Sequence, residues 1–126
     1  MQNRRNLFFV YTCVDTEYQD HCAHPVDFEW DPAKREANLN KHGVDFVDAV
    51  EVFAGEYVTL QSPRKSEHRE VAIGLLPAYA VPEQWSGRLA TVVFVRREET
   101  IIRIISARRA RKNERDAYRT TLLGGD

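Results

Sequence analysis

Four apolar segments of strand length follow one another along the chain, and they constrain the fold more than any other sequence feature. The segments are Tyr57–Leu60, Glu70–Leu76, Leu89–Val95 and Thr100–Ala107. Segments at such spacing predict neighbouring antiparallel strands. The connection Pro77–Arg88 holds two prolines, a glycine and a tryptophan, and this composition predicts a long hairpin loop. We therefore expect an antiparallel meander at the centre of the fold.

A short strand precedes this meander and a helix follows it. Asp27–Asp31 alternates polar and apolar residues, which predicts a strand with Phe28 and Trp30 on one face. We expect both aromatic side chains in the core rather than stacked on nucleic-acid bases. At the other end of the chain, a final helix is expected from about Ala110 to Leu122, with Gly124-Gly125 beyond it.

Two further helices are expected between the short strand and the meander. Asp31 suits the N-cap of the first, and a proline is tolerated at the helical position that follows it. Gly43 is expected to end this helix, as a glycine just past a helix commonly does. The second helix is expected from Val44-Asp45, with Asp45 as its N-cap, to Gly55. The two helices then form a helical hairpin.

The order of elements predicts an α+β fold with the helical pair on one face of a curved sheet. A chain of 126 residues fits one domain better than two. Residues 1–26 show no clear periodicity, and we interpret them as an N-terminal extension. That extension is an extra strand, a loosely held arm or an upstream start outside the core fold. The folded domain is expected over residues 27–126.

Positive charge is concentrated near the C-terminus, although the whole chain has a net charge of only −1. Between Arg103 and Arg119 two acids, Glu114 and Asp116, stand against seven bases. The bases are Arg103, Arg108, Arg109, Arg111, Lys112, Arg115 and Arg119. Such local asymmetry indicates a nucleic-acid surface or an acidic protein partner, and a solvated helix face is the alternative.

The two cysteines are too few for a disulfide framework. We expect no metal site, because Cys13, His21, Cys22 and His24 match no standard zinc spacing. The apolar run near the N-terminus is too short for a membrane helix, and no cleavage site follows it at the distance of a secretory leader. We therefore expect a cytoplasmic protein that does not associate with membranes.

Two blocks of sequence are specific when they are taken together and in order. The first joins Phe28-Glu29-Trp30-Asp31-Pro32 to Asn38-Leu39 and to Lys41-His42-Gly43-Val44-x-Phe46. The second is Ile102–Ala110, which reads IRIISARRA, followed by Glu114-Arg115-x-x-Tyr118. Over about residues 27–119 these blocks resemble the BrnT family, the toxins of a class of bacterial type II toxin–antitoxin systems.

The resemblance implies a RelE-like fold, with two N-terminal helices and a C-terminal helix on a curved antiparallel sheet. It implies a metal-independent endoribonuclease, without a cofactor, that cleaves RNA, inhibits translation and arrests growth. The implied partner is a BrnA-like antitoxin with a ribbon-helix-helix domain, in a 2:2 complex. Promoter DNA is then bound only through the antitoxin.

Metal-free RNA cleavage needs groups that transfer protons and positive charge around the phosphate. His42 and His68 are the candidate acid–base residues, because histidine titrates near neutral pH. His42 and Lys41 lie at a predicted helix end, where they alternatively satisfy the last carbonyls of that helix. The candidate RNA-binding residues are Lys41, Arg64, Lys65, Arg96, Arg97 and Arg109.

Arg103 and Arg108 are the candidate catalytic arginines. Arg103 is interpreted as an arginine on an exposed sheet face, or alternatively as an edge-strand arginine paired with a carboxylate such as Glu98. If side chains alternate strictly along this strand, Arg103 and Ala107 share one face. We expect Arg103→Ala and Arg108→Ala to lower toxicity without unfolding the protein.

The sequence departs from the family pattern in its N-terminal extension and in the length of the Pro77–Arg88 loop. A long loop there either covers or extends the surface that contacts RNA. A different class of function therefore stays open, namely a non-catalytic or inactivated toxin-like module that binds an antitoxin or nucleic acid.

Overall fold

The computed structural model of the protein describes residues 4–11, 23–61, 68–98 and 100–122, and for 4–11 and 23–25 it describes the backbone alone. The strands are β1 (Arg4–Tyr11), β2 (Ala23–Trp30), β3 (Tyr57–Gln61), β4 (Glu70–Leu75), β5 (Leu89–Arg97) and β6 (Ile101–Arg109). The helices are α1 (Pro32–His42), α2 (Phe46–Ala49) and α3 (Lys112–Leu122). Short 3-10 turns cover Val50–Ala54 and Ala78–Ala80. Within these ranges, no helix combines the length and the apolar character that crossing a membrane requires.

The predicted meander is confirmed. β3 pairs with β4, β4 with β5 and β5 with β6, each time antiparallel. The expectation of a wholly antiparallel sheet is wrong, because β2 pairs with β6 in parallel. The chain leaves β2 through two helices before it enters the meander. The last strand of the meander, β6, then returns beside β2 and runs in the same direction. The sheet is therefore mixed, with the strand order β1-β2-β6-β5-β4-β3.

The N-terminal residues continue this sheet. β1 pairs with β2 in antiparallel register from Arg4 opposite Trp30 to Tyr11 opposite Ala23. β2 begins at Ala23, so the boundary predicted between residues 26 and 27 falls inside a strand. The division into an extension and a domain at that point stays a prediction.

The caps predicted for α1 and α2 are confirmed. The Asp31 side chain accepts a hydrogen bond from the amide of Ala33 at 2.9 Å, and Asp45 accepts one from the amide of Val47 at 3.1 Å. Gly43 ends α1 in the left-handed region with a φ of 77°. α2 continues as the 3-10 turn over residues 50–54, so the second predicted helix is helical over its length but changes its winding.

The sheet carries a hydrophobic core on each face. The larger core includes Phe28, Trp30, Phe46, Phe53, Ala72, Val92, Phe94 and Ile104, which confirms the core positions predicted for Phe28 and Trp30. The smaller core contains Val71, Ile73 and Ala110, with Tyr118 of α3 packed against it. Ala72 belongs to the larger core with Phe46 of α2, and its neighbour Val71 belongs to the smaller core with Tyr118 of α3. Neighbouring residues of a strand point to opposite faces, so α2 and α3 lie on opposite faces of the sheet.

β6 contains a bulge that was not predicted. Val93 of β5 pairs with Ser106, whereas the next residue, Phe94, pairs with Ile104. Ile105 is therefore an extra residue in β6, and such a residue reverses the alternation of the side chains that follow it. Ala107 accordingly lies in the larger core together with Ile104. The prediction that Arg103 and Ala107 share a face is wrong.

The bulge brings two candidate arginines onto one face. Arg108 pairs across the sheet with Thr91 and contacts Glu114 of α3, which places it on the α3 face. Arg103 pairs with Val95, which lies on that same face because it is two residues beyond Val93. β6 therefore presents both arginines on this face, although their positions differ by five, which strict alternation would place on opposite faces.

Candidate active site

The C-terminal half of α1 is fixed to β6 by one buried amide. Nδ2 of Asn38 donates to the carbonyls of Ala107 at 2.9 Å and of Val44 at 3.0 Å. Its Oδ1 accepts a hydrogen bond from the amide of Ala107 at 3.1 Å. Asn38 is the one buried residue of α1, whereas Leu39 is 43% exposed. The helix is therefore attached by hydrogen bonds to the strand edge rather than by an apolar stripe.

His42 lies one turn beyond Asn38, at the end of α1. Its side chain is partly buried, and burial together with the positive charges of Lys41 and Arg108 lowers its pKa from the usual 6.5. Gly43 follows it with positive φ, and a Cβ there would lie 3.3 Å from Cγ of Pro82. The helix end is therefore enclosed between the end of β6 and the 77–88 loop, and His42 is neutral at physiological pH.

Arg108 is held in place by a carboxylate of α3. Its Nη1 and Nη2 donate to Oε1 and Oε2 of Glu114, each at 2.9 Å. The side chains of Arg108 and Glu114 are 18% and 11% exposed, so water screens this pair only weakly. Arg108 therefore has a fixed position and carries a structural role in addition to the charge that it presents to His42.

Glu114 accepts hydrogen bonds from two donors besides Arg108. Thr91 Oγ1 donates to it at 2.9 Å, and the amide of Arg111 donates at 2.7 Å, as in the capping box of a helix start. Burial raises the pKa of this carboxyl, but the hydrogen bonds from Arg108, Arg111 and Thr91 outweigh burial and lower it to about 2. The amide of Arg111 at the start of α3 is thus engaged by the protein's own carboxylate.

A second group of charges lies further along the same sheet face. Glu29 of β2 is buried, and it accepts hydrogen bonds from Arg97 and, at 3.4 Å, from Nη1 of Arg103. The two arginine side chains are 45% and 24% exposed. We call Glu29, Arg97 and Arg103 the Glu29 cluster. Arg103 therefore lies on β6, an inner strand of the sheet rather than an edge strand. Its hydrogen bond to a carboxylate is made with Glu29 of the neighbouring strand β2.

Two other candidates, His68 and Arg96, lie at the same end of the sheet as this cluster. His68 is exposed, has a φ of 53°, and lies two residues before β4, whose first residue Glu70 pairs with Phe94. Glu70 accepts a hydrogen bond from Nε of Arg96 at 2.9 Å, and the guanidinium of Arg96 lies 5.4 Å from the centre of the Phe94 ring. Arg64 and Lys65 lie outside the described residues.

The predicted catalytic residues thus form two groups rather than one. Lys41, His42 and Arg108 meet where α1 and β6 end, and we call these three with Asn38 and Glu114 the His42 site. Arg103 lies five residues from Arg108 on β6, which is roughly 15 Å along a strand. His42 and Arg108 therefore lie together at one end of the sheet, whereas Arg103 and His68 lie toward its other end.

The chemistry available differs between the groups. A neutral imidazole beside fixed positive charge is suited to accept a proton while those charges stabilise an anion. Two guanidiniums that share one carboxylate are held in place, and guanidiniums are suited to hold a phosphate. Among the described residues, no cluster of histidine, cysteine and carboxylate side chains is arranged to hold a metal ion.

Sequence reasoning missed Asn38, Glu29 and Glu114 as residues that fix the site. Asn38 had no local signal, because the apolar residues of α1, namely Ala33, Ala37 and Leu39, are exposed and do not mark the buried side of the helix. Glu29 lies between two core aromatics on an alternating strand, so the sequence predicts that its side chain points away from that core. Glu114 pairs with a strand residue across a turn, and nothing in the local pattern indicates that contact.

Comparisons with known proteins bear on this arrangement. The family model of BrnT, the ribonuclease toxin of a type II toxin–antitoxin system, matches residues 30–114, and that range holds the whole His42 site. Among solved structures, the crystal structure of the ribonuclease toxin BrnT from Brucella abortus is 30% identical to this chain. The likeness covers 66% of this chain and 94% of that one, with a TM-score of 0.46. The comparison with curated proteins gives no match.

Proposed function

Since this chain belongs to the BrnT family of ribonuclease toxins of type II toxin–antitoxin systems, we propose that it is an endoribonuclease that cleaves RNA without a metal ion at the His42 site. The observation that carries the assignment of the site is its geometry: Asn38 fixes the end of α1, which bears His42, to Ala107, the neighbour of Arg108 on β6. Because the imidazole is neutral at physiological pH, it is ready to accept a proton.

In this mechanism His42 takes the proton of a ribose 2′-hydroxyl. The 2′-oxygen then forms a bond to phosphorus, the bond from phosphorus to the 5′-oxygen breaks, and that oxygen takes up a proton. The products are a 2′,3′-cyclic phosphate and a 5′-hydroxyl end. Lys41 and Arg108 supply positive charge while the phosphorane carries its extra negative charge. DNA lacks the 2′-hydroxyl, so the reaction is specific for RNA.

The Glu29 cluster has a separate role in this proposal. Arg97 and Arg103 hold the RNA backbone on the α3 face of β6, and the strand then leads the RNA toward the His42 site. Both arginines share a carboxylate, which positions their guanidiniums. This role explains why two arginines and a buried glutamate lie on a sheet face that α3 does not cover.

The partner in this proposal is a BrnA-like antitoxin with a ribbon-helix-helix domain, which binds the toxin in a 2:2 complex and alone contacts promoter DNA. Free toxin in the cytoplasm then degrades RNA, inhibits translation and arrests growth. An antitoxin segment that neutralises the cationic sheet face would silence the enzyme by covering the RNA path.

A cleavage assay tests the proposed function. Purified protein is incubated with a single-stranded RNA, with and without a chelator, and with the DNA of the same sequence. We expect RNA cleavage in both cases, cyclic phosphate ends, and intact DNA. Cleavage that stops in the chelator would contradict the metal-independent mechanism. A folded protein that binds the RNA without cleaving it would support the non-catalytic binding module instead.

A further inference from the structure

A groove of about 600 Å³ lies outside both charged groups described above, between α3 and the loop segment 86–89. Five cationic side chains line it, and Asp116 is the only carboxylate among its lining residues in the part of the chain that the structure describes. The cations are Arg88, Arg109, Lys112, Arg115 and Arg119. The lining therefore has a net charge of +4, five positive charges less one negative. We call it the α3 groove.

The sequence spacing of α3 explains one wall of the groove. Lys112, Arg115, Asp116 and Arg119 recur at the three- and four-residue spacing of one helix face. Glu114 and Tyr118 occupy the opposite face and contact the sheet. α3 therefore turns one side to the core and a cationic side to the groove.

Three of the groove arginines are fixed by backbone carbonyls rather than by carboxylates. Nε of Arg88 donates to the carbonyl of Leu76 at 2.9 Å, and Nη1 of Arg115 donates to that of Ala110 at 2.7 Å. Arg109 donates to the carbonyl of Ser86 at 3.3 Å. A carbonyl orients a guanidinium without cancelling its charge, so the groove keeps positive charge in fixed places. A merely solvated helix face would not gather cations from a loop, a strand end and a helix around one concave space.

We propose that the α3 groove binds the phosphate backbone of RNA that extends beyond the cleaved bond, with the 77–88 loop as its second wall. This proposal rests on the proposed function and adds a second contact region to it. The lining favours RNA over an acidic protein segment, because Leu89 is its only hydrophobic member. Protein interfaces depend on apolar anchors in their centre, whereas nucleic-acid interfaces are polar and positively charged. Arg109 follows Arg108 directly, so the groove begins where the His42 site ends.

The test uses the full chain and a fluorescent single-stranded RNA in which every ribose is 2′-O-methylated, so that the probe cannot be cleaved. Binding is measured by anisotropy over a range of salt concentrations for Lys112→Ala/Arg119→Ala and for Lys34→Ala. Lys112 and Arg119 are 82% and 60% exposed, so the double variant keeps the fold. Lys34 is an exposed lysine on α1 and serves as the control.

We expect the double variant to bind the probe roughly tenfold more weakly and the slope of log affinity against log salt to fall by about 1.4. The Lys34→Ala control should change the affinity less than about twofold. Equal affinities of the double variant and the control would overturn the proposal. So would a double variant that keeps its RNA affinity but loses affinity for a poly-glutamate peptide, because the groove would then suit an acidic protein.

Cleavage of unmodified RNA by the unaltered protein is measured in parallel. Absence of cleavage would contradict the proposed function. The binding comparison alone tests whether the α3 groove binds RNA, because its probe cannot be cleaved.

Discussion

Glu29 and Glu114 are both buried on the same side of one sheet, yet they differ in how many arginines they bind and in how exposed those arginines are. Glu114 binds a single arginine through both carboxylate oxygens, and the side chains of that pair are less than a fifth exposed. Glu29 shares itself between Arg97 and Arg103, which are 45% and 24% exposed. The same pair of residue types therefore builds a rigid anchor in one place and an accessible cationic surface in the other.

This difference teaches that an arginine's role depends on its carboxylate more than on its own position. Arg108 is needed for the fold, because its removal leaves the buried carboxylate of Glu114 without its charged partner. It is also needed for the positive charge beside His42. Arg97 is replaceable for the fold, because Arg103 still contacts Glu29 after it is removed. Variants of the two groups should accordingly separate stability from RNA binding.

The largest effect is expected from Arg108→Ala. Sequence alone predicts an intact fold, but the Glu114 pair changes that expectation, since breaking a buried pair leaves an uncompensated charge. The free energy of unfolding should fall by about 3 kcal/mol. Urea denaturation measures it. The double variant Arg108→Leu/Glu114→Leu should recover part of the loss, and a double variant less stable than Arg108→Ala would contradict the pairing.

The pH dependence of stability should report the same anchor. Glu114 has a folded pKa of about 2, below its ordinary 4.5, so its contribution is present above pH 4.5 and is lost as the pH falls toward 2. The expected loss is on the order of 3 kcal/mol. Urea denaturation at several pH values measures it. Glu114→Gln should flatten the curve in this window, and an unchanged curve would show that other carboxylates cause the loss.

Asn38→Ala should have the next largest effect. The substitution leaves the amide and carbonyl of Ala107 buried without their partner, which should cost about 2 kcal/mol of unfolding free energy. It also releases the end of α1, so the cleavage rate should fall with it. Asn40→Ala is the matched control on the exposed side of the same helix. Equal stabilities of the two variants would rule out the role assigned to Asn38.

The smallest change in stability is expected from Arg97→Ala, below about 1 kcal/mol, because the side chain is half-exposed. RNA affinity should fall all the same, since the Glu29 cluster loses one guanidinium. Thermal denaturation and RNA binding, measured on the same sample, separate the two effects. A strongly destabilised variant would show that the Glu29 cluster stabilises the fold as the Glu114 pair does. That result would contradict the contrast drawn between the two groups.

Much of the fold could be predicted from local signals. The caps Asp31, Asp45 and Gly43 each act within a few residues, so the sequence contains all that determines them. The meander could be predicted because hairpin spacing is also local. The parallel pairing of β2 with β6 could not, since it joins residues that are far apart in the sequence and depends on how the whole sheet closes.

The site was harder to predict than the fold. His42 and Arg108 were candidates by residue type, and their catalytic roles stay predictions, but the sequence grouped Arg103 with them. The bulge at Ile105 and the distance along β6 decide which residues meet, and neither follows from alternation. Asn38 gains its role from the backbone of Ala107, which lies far away in the sequence, and Glu114 contacts Thr91 on another element.

The central claim is that chemistry occurs at the His42 site rather than at the other end of the sheet. The most direct test compares the kcat of His42→Ala with that of His68→Ala on one RNA substrate, after both variants are shown to be folded. The account predicts a loss of about 100-fold or more for His42→Ala and less than about tenfold for His68→Ala. A His42→Ala variant that keeps its activity, or a larger loss for His68→Ala, would contradict it.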